Sequence, residues 1–242
     1  MTTDLARDLA AVRDATERLL AAAGGLDDAA VAEPSRLPGW TRGHVLTHLA
    51  RNADALVNVL TSARTGERIP MYADEKARDA AIEEGAGRPL AVQLDDLEES
   101  SSRFNDTAAS LHSEHWSRTV ELRGGVTGLT AAMPFRRLAE VELHHVDLGI
   151  GYEMTDLPAF FTGEQLAFVA GERFADREDV PALLIAAGGE HGGQDWRTGR
   201  PGGKPVRVSG SPAALLGWLT GREAGTGLDA GGSALPSLPP LG

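Results

Sequence analysis

The 242-residue sequence contains no cysteine. This absence excludes structural disulfides, cysteine-ligated zinc, iron–sulfur clusters and a thiol nucleophile supplied by the chain itself. If the protein carries out thiol chemistry, its sulfur therefore has to come from a small molecule.

Long apolar runs and an excess of basic residues are also missing. No stretch of about 18 apolar residues occurs, so we expect no membrane-spanning helix. The opening sequence MTTDLARDLA lacks the apolar segment of a signal peptide, which favours a cytoplasmic location. The formal net charge of −12 argues against a nucleic-acid partner, because phosphate binding requires clustered Lys and Arg.

Helical periodicity dominates the first 150 residues. Apolar residues recur at helical spacing in four long segments: 4–23, 42–63, 91–111 and a helix that begins within 131–136. Thr41 is a plausible N-cap for the second segment, and Pro134 fits the first turn of the fourth. A short helix should follow the loop 65–74. Four long helices with substantial connections predict a helical bundle.

The composition changes after about residue 152. Helices are predicted at 165–175 and 211–220, and strands at 180–187, 195–198 and 205–209, with Gly- and Pro-rich turns between them. The glycine pairs around Glu190 and His191 are interpreted as a turn rather than a phosphate-binding loop. The tail from residue 225 should be loosely ordered. We therefore predict an α+β fold with two domains, 1–154 and 155–242.

A carboxylate and an imidazole are paired on the fourth long helix, in PFRRLAEVELHHVDLG (134–149). Glu140 and His144 are four residues apart, so both leave the same helix face. Such a pair is half of a transition-metal site, although it could equally be an ion pair on a solvated face. Asp147 could hold the His144 imidazole or be an ordinary surface acid. His145 and Glu142 point about 100° or more away from this face.

The second long helix offers a further imidazole. His44 and His48 lie one turn apart among its core-facing positions, where they could also be half-buried histidines that bond backbone carbonyls. A catalytic zinc needs about three protein ligands and an open position. One of these two histidines with Glu140 and His144 would supply that number, and the set contains nothing specific for copper or iron.

Four stretches resemble one known family. GWTRGHVLTHLARNADAL (39–56), PMYADEKAR (70–78), HHVDLG (144–149) and TGREAGTG (220–227) are similar to the mycothiol-dependent maleylpyruvate isomerases, within the wider DinB-like metal-binding four-helix group. The resemblance covers nearly the whole chain. It implies an N-terminal DinB-like four-helix bundle followed by a small C-terminal α/β domain.

The resemblance also implies roles for individual residues. It selects His48, rather than His44, as the first Zn²⁺ ligand, with Glu140 and His144 as the other two. It implies that Arg222 is a catalytic arginine. Without the resemblance, the sequence alone favours a solvated residue after a glycine turn. Arg78 aligns with an arginine expected near the substrate carboxylates. The chain has His145 where the family is expected to have a small residue.

The implied activity is the conversion of maleylpyruvate to fumarylpyruvate in gentisate (aromatic) catabolism. The expected partners are a small dicarboxylate and mycothiol, and the expected mechanism is zinc-assisted thiolate addition, bond rotation and elimination. Zinc could lower the thiol pKa or polarise a substrate oxygen. The alternatives are a mycothiol S-transferase on the same zinc-binding scaffold and a non-catalytic scaffold protein. The second usually has Cys ligands, which this chain lacks.

Overall fold

The computed structural model describes residues 4–188 and 195–240. They separate into two compact units, one ending at Gly151 and the other beginning at Tyr152. The division predicted between residues 154 and 155 lies three residues further along the chain. The predicted turn around Glu190 and His191 falls outside the described residues.

The first unit consists of helices and one β-hairpin. The two strands of the hairpin, Thr119–Glu121 and Thr127–Leu129, are antiparallel, with Val120 opposite Gly128, and a turn with positive φ angles at Gly124 and Gly125 joins them. The helices are α1 (Leu5–Ala23), α2 (Asp28–Val31), α3 (Arg42–Thr65), α4 (Glu75–Ala86), α5 (Leu90–Ala109), α6 (Ser113–Trp116) and α7 (Met133–Leu148), and the strands are β1 (Thr119–Glu121) and β2 (Thr127–Leu129).

Side-chain caps and glycines set the ends of these helices. Asp4, Thr41 and Asp74 each accept a hydrogen bond from a backbone N–H of the first turn of α1, α3 and α4, respectively. Helices α3 and α7 end at Gly66 and Gly149, whose φ angles of 78° and 65° are left-handed. The sequence locates these ends well, because a cap acts within a few residues of itself.

The four long helices α1, α3, α5 and α7 form the predicted bundle. Helix α3 packs against both α5 and α7, and α1 packs against α7 and α5. The core contains large apolar side chains from all four helices, among them Leu19, Leu46, Leu49, Leu60, Leu97, Phe104, Met133 and Leu138.

Helix α4 lies directly on α3. A Cβ atom built on Gly43 would be 2.2 Å from the carbonyl oxygen of Ala86, and one built on Gly85 would be 2.4 Å from Cγ2 of Thr47. The two backbones can approach this closely only because these positions lack side chains. This contact fixes the helix that carries Arg78 against the helix that carries His48.

The second unit is a small α/β arrangement. Its elements are α8 (Ala159–Phe168), β3 (Leu183–Ala187), β4 (Asp195–Thr198), β5 (Val206–Gly210) and α9 (Pro212–Leu219). The sheet order is β4-β3-β5, with β3 antiparallel to β4 and parallel to β5. Helix α9 packs against α8 and the sheet. The chain is therefore α+β, as predicted.

One local prediction for this unit needs revision. Helix α8 begins at Ala159, six residues before the predicted start, and continues as a π-helical segment over Val169–Arg173. Residues 225–240 contain no helix or strand beyond the single bridge between Ser209 and Asp229. No helix within the described ranges is long and apolar enough to cross a membrane.

Candidate metal centre

Helices α3 and α7 bring three potential ligands together. The Oε2 atom of Glu140 lies 3.0 Å from Nε2 of His48 and 3.4 Å from Nε2 of His144. One ligand atom from each residue lies within 4.8 Å of the other two. Over residues 4–188 and 195–240, this is the only such group of three His, Cys, Asp or Glu side chains.

The spacing of the three atoms suits a tetrahedral metal ion. In a zinc site with bonds of about 2.1 Å, neighbouring ligand atoms lie about 3.4 Å apart. The 3.0 Å and 3.4 Å separations to Glu140 are close to this value. Two imidazoles and one carboxylate also suit Zn²⁺ chemically, and they leave the fourth tetrahedral position open.

The protonation states of Glu140 and His48 favour cation binding. Burial raises the pKa of the Glu140 carboxyl, but hydrogen bonds from His144 and His48 outweigh it and hold that pKa well below its ordinary value. Burial lowers the pKa of His48, and the hydrogen bond to Glu140 only partly opposes this effect. At neutral pH the site therefore presents a carboxylate and a neutral His48 ring.

Asp147 holds the His144 ring. Its Oδ2 atom lies 2.8 Å from Nδ1 of His144, and the Asp147 side chain is buried. A carboxylate at Nδ1 keeps a proton there and turns Nε2 of His144 toward Glu140. Burial lowers the pKa of His144, but the hydrogen bonds to Asp147 and Glu140 outweigh it, and the pKa is raised overall. The surface-acid alternative for Asp147 is therefore wrong.

His44 belongs to a different set of contacts. Its Nδ1 accepts a hydrogen bond from the backbone N–H of Thr41 at 3.2 Å, and its Nε2 lies 3.1 Å from Oε2 of Glu83 on α4. His44 thus caps α3 and bridges to α4. Of the two candidate histidines on α3, the structure brings only His48 to Glu140 and His144. The indole of Trp40 covers His48, with 5.4 Å between ring centroids.

The two side chains predicted to point away from the ligand face do so. Glu142 is buried and accepts a hydrogen bond at 2.6 Å from Arg18 on α1. His145 is buried as well and is not part of the three-residue cluster. Glu142 therefore ties α7 to α1, and neither Glu142 nor His145 belongs to the ligand cluster.

Arg78 lies beside the cluster. Its Nη2 is 3.4 Å from Nδ1 of His48, its Nη1 is 2.6 Å from Oδ1 of Asp79, and its guanidinium lies 5.9 Å from the centroid of the Tyr72 ring. Arg78 and Tyr72 also line a cavity of about 170 Å³, together with Arg51, Asp54 and Asn58. A guanidinium at the wall of a cavity beside three potential ligands is well placed to bind an anionic group.

Arg222 belongs to the second unit. It is half-buried in the turn that follows α9, where its backbone N–H donates to the carbonyl of Gly217 at 2.8 Å. The catalytic role implied for Arg222 stays a prediction.

Sequence analysis missed Arg137, a fully buried arginine one turn before Glu140 on α7. A signal was available, because residue 137 lies in the apolar stripe of α7 with Met133, Val141 and Leu148. A basic residue inside such a stripe indicates a buried polar contact.

Fold and cluster together define a class: a helical bundle with a candidate His–Glu–His metal site, joined to a small α/β unit. The family model for the mycothiol maleylpyruvate isomerase N-terminal domain matches residues 12–149, more than half of the chain. The chain belongs to this family, and the predicted resemblance is confirmed.

Solved structures extend the similarity to the second unit. The chain is similar to the crystal structure of the mycothiol-dependent maleylpyruvate isomerase, with a TM-score of 0.90 and 28% identity over 99% of this chain and 100% of that one. A crystal structure of a histidine-to-alanine mutant of that isomerase gives the same values. A search of the curated proteins finds no significant match.

Proposed function

We propose that this protein is a mycothiol-dependent isomerase that converts maleylpyruvate to fumarylpyruvate in gentisate catabolism, in the cytoplasm. The observation that carries the proposal is the convergence of His48, Glu140 and His144 in a chain of this family. The absence of cysteine supports it, because a thiol-dependent reaction on this chain requires an external thiol.

We also propose the domains 1–154 and 155–242.

The three converging side chains would hold a Zn²⁺ ion. When bound, zinc would supply a Lewis acid and lower the pKa of a thiol or polarise a substrate oxygen. The protein's part is to keep Glu140 ionised and His48 neutral, and to hold the His144 ring in place through Asp147.

The reaction requires rotation about a C=C bond, which a reversible thiol addition makes possible. The thiol supplies a nucleophile that adds to one alkene carbon and leaves after the rotation, so it is returned unchanged. Arg78 would bind a substrate carboxylate at the cavity wall, since it lines the cavity and lies next to His48. The family resemblance implies that Arg222 would hold a substrate carboxylate and stabilise the enolate that forms during the addition.

The reaction is tested by incubating zinc-loaded protein with maleylpyruvate, with and without mycothiol, and following the absorbance of the product. We expect conversion only when mycothiol is present, with the thiol concentration unchanged at the end. Stoichiometric consumption of mycothiol would instead identify the S-transferase. No reaction in the presence of both zinc and mycothiol would contradict the proposal.

Variants test the metal ligands against a matched control. His48→Ala and Glu140→Gln should lose zinc and turnover together, whereas His44→Ala, one turn away on α3, should keep the zinc. Elemental analysis measures the zinc stoichiometry. A full zinc content in His48→Ala or Glu140→Gln would contradict the ligand assignment. Arg222→Ala should keep zinc but lose most activity, and wild-type kcat and KM in this variant would contradict its role.

A further inference from the structure

Arg137 on α7 is an unusual buried cation. Its exposed fraction is 0%. Among the described residues, no carboxylate lies within ion-pair distance of its guanidinium. Burying a cation without such a partner costs several kcal/mol, so a residue of this kind usually has a specific task.

The hydrogen bonds of Arg137 are all made to neutral groups. Its Nη1 donates to the backbone carbonyl of Leu49 at 2.8 Å and to Oδ1 of Asn52 at 2.9 Å, and its Nη2 donates to Oγ of Ser101 at 3.3 Å. Burial lowers the pKa of Arg137 to about 10, which still leaves the guanidinium protonated at neutral pH. The side chain therefore bridges three helices: α7, α3 and α5.

These contacts adjoin the candidate ligands. Arg137 lies one turn before Glu140 on α7, and on α3 Leu49 follows His48 while Asn52 lies one turn after it. The guanidinium thus joins the two backbone segments that carry His48 and Glu140. Because it is a planar and rigid group, it fixes their separation more tightly than apolar packing does.

We propose that Arg137 is a positioning residue that holds α3 and α7 at the separation which the metal ligands need. The inference rests on the proposed function, because it assumes that His48 and Glu140 bind a metal ion. The proposal competes with two other roles, in which Arg137 acts through its charge alone or serves stability alone. The three roles predict different effects on zinc affinity.

The charge role and the positioning role predict opposite effects of Arg137→Met on zinc affinity. If the charge alone mattered, Arg137→Met would remove a cation near the site and strengthen zinc binding, while Arg137→Lys would preserve it. If Arg137 positions the ligands, both variants should bind zinc about ten- to a hundredfold more weakly, the usual cost of losing a residue that orients ligands. Neither methionine nor lysine reproduces the fork of donors to Leu49 and Asn52.

The test measures zinc dissociation constants by chelator competition for the wild type, Arg137→Met, Arg137→Lys and Asn52→Ala. The control is Arg136→Met, which changes the exposed neighbouring arginine on α7. We expect weaker binding in the first three variants and wild-type binding in the control. The visible spectrum of Co²⁺-loaded protein should also change in the first three, because it reports the ligand geometry.

Thermal unfolding of the metal-free variants separates positioning from stability. A lower Tm with an unchanged zinc dissociation constant would overturn the proposal, as would tighter zinc binding by Arg137→Met or wild-type binding by Arg137→Lys. If Arg137→Met does not fold, Asn52→Ala still tests the bridge from its α3 end. Failure of the wild type to bind zinc would refute the proposed function itself, a result distinguishable from failure of this inference.

Discussion

The substitution Asp147→Asn tests whether the ring orientation of His144 matters for metal binding. The buried Asp147 carboxylate lies 2.8 Å from Nδ1 of His144. Asparagine has nearly the same shape and can offer an amide oxygen to the same nitrogen, so the packing of α7 should persist. The backbone carbonyl of residue 147, which accepts a hydrogen bond from the N–H of Arg36 at 2.8 Å, is also retained. At Nδ1 of His144 the acceptor changes from a charged carboxylate oxygen to a neutral amide oxygen.

The size of the effect follows from that change. A hydrogen bond to a charged partner contributes about 1.5–3 kcal/mol, and one between neutral groups about 0.5–1.5 kcal/mol. The difference of about 1–1.5 kcal/mol corresponds to roughly a tenfold change in affinity. Losses of about ten- to a hundredfold are usual when a partner of a ligating histidine is removed. We therefore expect Asp147→Asn to bind zinc about tenfold more weakly.

Chelator competition measures this loss, with Asp106→Asn as the control. Asp106 is exposed on α5, so its substitution removes the same charge from a position outside the cluster. The control should bind zinc like the wild type. Equal zinc affinity of Asp147→Asn and the wild type would show that the contact with Nδ1 of His144 does not orient the ring for metal binding.

Three further predictions concern pH and packing. Because its pKa is raised in the folded state, His144 stabilises the metal-free protein at pH values below 6.5, the ordinary pKa of the group. This stability is lost as the pH rises through the folded-state pKa of His144. Zinc requires the neutral ring, so the increase in Tm on adding zinc should grow between about pH 6 and 8, and a pH-independent increase would contradict this. Arg18→Ala removes the cation that pairs with buried Glu142 and should lower the free energy of unfolding by about 1–3 kcal/mol in urea titrations, with zinc stoichiometry unchanged. Gly43→Ala should lower the free energy of unfolding by about 1–3 kcal/mol, because the new Cβ would collide with α4. In the control Gly87→Ala the Cβ meets open space, and stability should be nearly unchanged. Equal stability of the two variants would argue against the close α3–α4 contact.

Local signals in the sequence were enough to locate most helices. The predicted segment 42–63 corresponds to α3 at Arg42–Thr65, and Thr41 caps it as expected. Local sequence patterns did not locate a helix start that depends on tertiary packing. Helix α8 begins six residues earlier than its periodicity suggested, since its sequence AFFTGEQLAF is largely apolar and has a weak helical stripe.

In the candidate site, too, one relation follows from the sequence and another depends on packing. Glu140 and His144 share a helix face because they are four residues apart, a relation that the sequence determines once α7 forms. The choice between His44 and His48 is different in kind, since both lie on α3 one turn apart and both face inward. The family resemblance favoured His48, but physical proximity to Glu140 depends on how α3 and α7 pack.

By itself the sequence determined the helical bundle, the same-face pair Glu140 and His144, and the absence of any thiol in the chain, because periodicity, spacing and composition are properties of the chain alone. Tertiary structure decided that His48 joins this pair, that Asp147 holds the His144 ring, and that Arg137 is a buried bridge rather than a surface cation. The physical reason is that contacts between helices depend on their separation and rotation. These are set by the packing of the whole bundle and cannot be deduced from any one segment.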